Sequence, residues 1–185
     1  MVLMMALPAA SWSYAVRTAV TALLLAVFWW PSIDRTVYRL ARGDRKPWAD
    51  LALGLGLGVL VLIIWIAPDG WGWYCRWCVI GNPYGGENAA GTSLLWVRFL
   101  GSALVISAAE ELFFRKWLIG FAGFWWMVAL FALEHNRWLV GAIAGVLYGL
   151  VYLKRGTFAA IVAHATTNLL LGLYVLQGGH WEFWR

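Results

Sequence analysis

At 185 residues the chain is sized for one domain, yet 63% of it is hydrophobic and only 12% is charged. Soluble domains run at roughly 45–50% apolar and about a quarter charged. A mean hydropathy of +0.72 leaves too little polar surface to coat a water-soluble globule, and it also excludes a disordered chain and a disulfide-rich miniprotein. The formal charge is +5 and there are fifteen Trp, a residue that favours the bilayer interface. The composition predicts an all-α fold, a polytopic transmembrane helical bundle of about six spans.

In chain order, six apolar stretches approach spanning length: 14–30, 48–67, 93–114, 121–135, 138–153 and 158–177. A span needs about 17–25 residues, so the fourth and fifth are short. No basic segment precedes the first stretch, which predicts an uncleaved first helix rather than a signal peptide. After it come Arg35, Arg39, Arg42, Arg45 and Lys46, with Asp34 and Asp44 among them. In so apolar a chain this reads as a juxtamembrane loop rather than a nucleic-acid patch. With Arg115, Lys116, Lys154 and Arg155, nine of the fourteen Lys/Arg fall on one side of the span map. The positive-inside rule then puts these basic turns in the cytoplasm and both termini outside it.

Cys75 and Cys78 are the only cysteines and stand as C-x-x-C after the second stretch. With no His between Pro68 and Thr92, a zinc site is not expected there. A loop disulfide and two free thiols both remain open. Gly54 and Gly58, and Gly141, Gly145 and Gly149, recur every four residues, a spacing that lets helix backbones approach closely. The chain has no internal repeat or linker. It divides into a two-span region at 1–92, a helical core at 93–178 and a tail at 179–185, within one structural domain.

Ionisable groups inside apolar helices cost a few kcal/mol each, so each needs a reason. Three clusters stand out. Glu110 and Glu111 end an apolar run, and Arg115 follows Glu111 by one helical turn, in the favourable order for an ion pair. Glu110 points about 100° away and lacks such a partner, which makes it a candidate base; a solvated helix end is the alternative. Phe131 and His135 share a face; an interfacial histidine is the bland alternative there, and Glu134 beside it reads as an interface or structural charge. His164 and Asn168 also share a face, where interhelical hydrogen bonding is the competing reading. The chain has only three histidines, and two lie in these clusters. Counting depth at about 1.5 Å per residue allows all three clusters to meet in the cytoplasmic half of the bilayer. Two acids, two histidines and an amide can activate water and stabilise an oxyanion. Glu110, His135 and His164 could alternatively hold zinc.

The series Glu110-Glu111-x-x-x-Arg115, Phe131-x-x-x-His135 and His164-x-x-x-Asn168 resembles the CPBP family of intramembrane proteases, which includes the CAAX prenyl endopeptidases and bacterial Abi proteins. Their pattern is EExxxR, FxxxH and HxxxN or HxxxD. The likeness runs from about Leu94 to Leu176, and the aromatic content is similar to that of the branch found beside bacterial exosortase systems. The resemblance implies an integral protein of the bacterial inner membrane that hydrolyses a peptide bond in a membrane-associated peptide or protein. Glu110 would be the general base, His135 would orient water or metal, and His164 with Asn168 would stabilise the oxyanion. Glu111, Arg115 and Phe131 would support them. No dedicated prenyl pocket is evident in the sequence. A noncatalytic immunity or scaffold protein and a proton-coupled carrier are the alternative readings of the same polar cluster.

Overall fold

A computed structural model describes residues 14–27, 47–79 and 92–183. The basic segment from Arg35 to Lys46 and the last two residues of the tail lie outside the described residues. Each of the six apolar stretches carries a helix. They are α1 (Tyr14–Val27), α2 (Pro47–Ile66), α4 (92–122), α5 (Phe124–Leu133), α6 (Trp138–Arg155) and α7 (Thr157–Gly178), with the short α3 (Gly72–Trp77) after α2 and a 3-10 turn (Trp181–Phe183) after α7. The helices α2, α6 and α7 are long and apolar enough to cross a membrane. The fifth stretch therefore runs longer than its sequence suggested, because Lys154 and Arg155 complete its last turn. The fourth is short, as expected: its ten residues rise about 15 Å.

The molecule is apolar outside and polar inside. Phe121, Trp125, Trp126 and Leu133 are largely exposed, whereas Asp50, Ser107, Glu111, Arg115, Arg137, His164 and Thr167 are buried. Lipid tails solvate apolar side chains as well as a protein core does, so the hydrocarbon-facing surface need not be hidden. Buried polar groups then have to find partners across helices. Asp50, in the first turn of α2, takes Arg155 from the end of α6 at 3.1 Å.

The glycine stripes supply the close approaches. A Cβ on Gly54 would stand 2.7 Å from Val162, and one on Gly58 would stand 2.5 Å from Thr166 and 2.6 Å from the Ala163 carbonyl oxygen, so α2 lies directly on α7. Gly56, between them, faces open space. On α6, Gly149 meets Phe124, Gly145 meets Phe131, and Gly141 meets His135. That stripe fixes the level of every residue of α5. Gly123, at φ +90°, makes the sharp reversal from α4 into α5 that a side chain would strain.

A second cluster closes the end of the bundle opposite Lys154 and Arg155. Arg137, in the α5–α6 turn, is held by Asp69 at 2.8 Å and pairs its backbone with Val79. Tyr74, Cys78 and Val140 are buried together there. Burial pushes the Tyr74 hydroxyl above its ordinary value, against the opposing pull of the Arg137 guanidinium. Cys78 is buried and Cys75 exposed, and both are free thiols, so the two-thiol reading of the C-x-x-C holds.

The packing separates two neighbouring glycines by outcome. Gly58→Val drives a branched side chain into α7 backbone and should abolish accumulation of folded protein. Gly56→Val meets nothing and should leave membrane yield unchanged and stability within about 1 kcal/mol of wild type. Membrane yield and thermal unfolding in detergent check this; equal tolerance of both changes would refute the α2–α7 contact.

Candidate active site

The helix that carries the acidic pair is irregular on both sides of it. Within α4, Gly101–Ile106 and Glu111–Leu118 are wound as π-helix, and only Ser107–Glu110 between them is α-helical. Wide turns of this kind are rare and cluster at functional sites. Their effect is visible at Ser107, whose hydroxyl donates to the carbonyl oxygen of Ser102, five residues back, at 3.0 Å. Asn168 completes the contact from α7: its amide nitrogen donates to the same carbonyl at 3.2 Å and to the Ser107 oxygen at 3.0 Å.

One turn further on, Glu111 and Arg115 are both fully buried, with Arg115 Nη1 at 3.0 Å from Glu111 Oε1. This bears out the ion pair expected from the spacing. The guanidinium lies 4.0 Å from the centre of the Phe131 ring and 5.4 Å from that of Tyr148. Desolvated cation–π contacts of this kind contribute about 2 kcal/mol. Phe131 thus supports the pair by its ring face, a role its place before His135 did not disclose.

His164 reaches the same carboxylate from α7. Its Nδ1–H donates to Glu111 Oε1 at 2.8 Å, which leaves Nε2 on the side of Glu110, 3.7 Å from Glu110 Oε2. That separation is too long for a hydrogen bond. Tyr148 stacks on the imidazole, with centroids 4.9 Å apart and planes at 20°. The Tyr148 hydroxyl donates to Thr167 at 2.7 Å, and Thr167 donates to the Gly58 carbonyl oxygen at 2.9 Å. The ring of His164 is therefore fixed on one edge by Glu111 and on one face by Tyr148. Glu110 is the most accessible of the three groups, with a fifth of its side chain exposed.

His135 stands apart from these. It lies in the turn after α5, and its Nδ1–H donates to the Phe131 carbonyl oxygen at 2.7 Å. It is level with Gly141, whereas His164 is level with Tyr148; seven residues of α6 separate those levels, about 10 Å along the helix. The Phe131 ring contacts both, 4.6 Å from one imidazole and 5.8 Å from the other. The depth count from sequence put His135 roughly 9 Å beyond His164, and the two levels on α6 agree with that separation.

A cavity of about 170 Å³ joins the two levels, with His164, Asn168, Tyr148 and Thr167 along it and His135, Trp65 and Phe183 toward its far end. Both imidazoles and Asn168 thus reach one space, whereas Glu110, Glu111 and Arg115 of the first motif are not among the residues that line it. Among the described residues no three His, Cys, Asp or Glu side chains stand close enough to hold a metal ion. Zinc on Glu110, His135 and His164 does not fit this arrangement, because those three side chains do not form such a group. Tyr148, Thr167, Ser102 and Ser107 are the residues that sequence reasoning missed. The two serines were visible as polar interruptions of an apolar run; Tyr148 had no signal beyond its hydroxyl.

Removing Arg115 should leave a buried, uncompensated carboxylate and cost about 3–5 kcal/mol. Arg115→Ala is expected to melt well below wild type in detergent, with Arg115→Lys between the two because a lysine keeps the charge without the flat stacking face. An Arg115→Ala protein as stable as wild type would overturn the pairing.

Comparison with protein-family models matches residues 92–170 to "Type II CAAX prenyl endopeptidase Rce1-like". No curated protein and no solved structure matches the chain. The matched segment holds Glu110, Glu111, Arg115, Phe131, His135, His164 and Asn168, all of the side chains on which the sequence resemblance rested. Through residues 92–170, less than half of its length, the chain is similar to the type II CAAX prenyl endopeptidases.

Proposed function

We propose that this protein hydrolyses a peptide bond of a membrane-associated peptide or protein by means of water activated at Glu110. The observation that carries the reading is the position of His164: tied to buried Glu111 through Nδ1, it presents Nε2 toward Glu110 at 3.7 Å, beside a cavity that penetrates the bundle.

Glu110 takes a proton from water, and the oxygen adds to the scissile carbonyl carbon. The Glu110 carboxyl passes that proton to Nε2 of His164, and the Nδ1 bond to Glu111 supports the positive charge so gained. As imidazolium, it donates from Nε2 to the developing oxyanion and then delivers the proton to the leaving nitrogen. His135, with Nδ1 fixed on the Phe131 carbonyl, offers Nε2 as an acceptor to a main-chain N–H or water in the cavity. Asn168 acts differently from the family-based expectation. Both of its amide hydrogens go to Ser102 and Ser107, so it positions the irregular helix beside Glu110 and does not point at an oxyanion.

With the basic turns in the cytoplasm, the cavity's far end, at Trp65, His135 and Phe183, faces the opposite side of a bacterial inner membrane. A peptide bond near that surface is then the accessible one. Nothing in the cavity requires a prenyl chain.

Glu110→Gln keeps the shape and removes the base. It should lower cleavage at least about 100-fold while the protein still accumulates in membranes, and His164→Ala should do the same. Comparing peptide termini in membranes carrying wild type or Glu110→Gln reads this directly. A terminus that vanishes with the variant names the reaction and the target. Cleavage at wild-type rate by Glu110→Gln removes the peptidase reading and leaves a scaffold or proton carrier. The geometry also predicts that cleavage persists after exhaustive chelation; loss of activity together with one equivalent of zinc would show that the imidazoles converge on a metal.

A further inference from the structure

The cavity is small for its proposed work. At about 170 Å³ it holds roughly five or six waters at about 30 Å³ each, whereas ligand sites run to about 300–1,000 Å³. A bulky peptide side chain would need a wall to move. Most of the walls are long helices locked together: Ala144, Tyr148 and Phe131 are buried, and α2 and α7 meet through glycines. The exception is the wall supplied by Phe183.

Phe183 belongs to a three-residue turn with no buried residue. The turn is reached through Gly178 and Gly179, and Gly179 adopts φ +71°, a conformation that L side chains rarely take. Two backbone bonds shape it, Trp181 N–H to Gly179 O at 2.9 Å and Phe183 N–H to His180 O at 3.2 Å. Its contacts with the bundle include aromatic ones: His180 stacks on Tyr174 at 4.1 Å, and Phe183 meets the edge of Tyr174 at 5.8 Å. The opposing partner is immobile by comparison. The Arg137 guanidinium lies 4.2 Å from the centre of the Phe183 ring, and Arg137 is itself anchored by Asp69 and by its backbone pairing with Val79.

We propose that Phe183 is a specificity-determining residue, a removable wall caught by Arg137, which sets the bulk of the peptide side chain admitted beside His135. This deepens the peptidase reading and rests on it for its substrate. The fixed half of the catch is an arginine two residues after His135, so closing the wall and presenting that imidazole depend on one turn. The catch also suits repeated opening, because a cation over a ring can part and re-form without leaving a buried carboxylate unpaired.

The test reads the wall with and without a substrate. A thiol introduced by Leu171→Cys, in a protein carrying Cys75→Ala and Cys78→Ala, reports access to the cavity through its labelling rate with a small charged methanethiosulfonate reagent. Phe183→Ala should raise that rate on the order of tenfold, the factor expected for loss of a cation–π contact. Phe183→Leu, a milder change that retains apolar packing, should raise it less. With peptides as substrate, Phe183→Ala should lower KM for a bulky aromatic side chain at the cleavage site and shift KM more than kcat. Equal labelling rates in the parent, Phe183→Leu and Phe183→Ala would overturn the movable wall. Faster labelling together with undiminished cleavage by Glu110→Gln would uphold the wall and refute the peptidase chemistry instead.

Discussion

The fully buried contact between Glu111 and Arg115 is the interaction on which the rest of the site depends. A carboxylate and a guanidinium this far from water remain charged only because each neutralises the other and because aromatic faces take part of the cation's field. Once the pair exists, it has consequences in three directions. Phe131 must lie under the guanidinium, which fixes α5. Tyr148 must stand beside it, which fixes α6. His164 must give its Nδ1–H to the carboxylate, which fixes the rotation of α7. The position of His164 relative to Glu110 is the residue of these constraints rather than an independent feature.

Membrane proteins of this kind invert the usual ordering of effects. Packing of apolar side chains against lipid supplies little preference for one bundle over another. Specific shape comes from the glycine stripes, which decide how near two backbones come, and from hydrogen bonds that cross helices. Gly58 takes part in both: its missing side chain admits α7, and its carbonyl oxygen receives the Thr167 hydroxyl that in turn accepts from Tyr148. A purely structural contact is in this way one atom removed from the imidazole stack.

Much of this was legible beforehand because polar residues in hydrocarbon are so costly. Glu110, Glu111, Arg115, His164 and Asn168 announce themselves by being where they are, and helical spacing correctly pairs Glu111 with Arg115. Counting residues expressed level as well: it put His135 roughly 9 Å beyond His164, close to the about 10 Å between their levels on α6. What counting cannot express is an irregular helix, and that hid the role of Asn168. Its partners, Ser102 and Ser107, are five residues apart, and no α-helical template brings them together. Tyr148 was hidden because an aromatic ring in a membrane span is unremarkable until its neighbours are known.

The wide turns of α4 carry one consequence of another kind. An α-helix advances about 100° per residue, so a stretch wound more loosely absorbs an additional residue without turning the remainder of the helix out of phase. Deleting a residue within Gly101–Ile106 would let that stretch tighten to ordinary α-helix and leave everything downstream in phase, with Glu111 still on Arg115 and Glu110 still turned from it. The α-helical segment Ser107–Glu110 has no such slack, and the same deletion there would turn the chain beyond it through about 100°. Chain length is thus forgiving in one short stretch and exacting in the next.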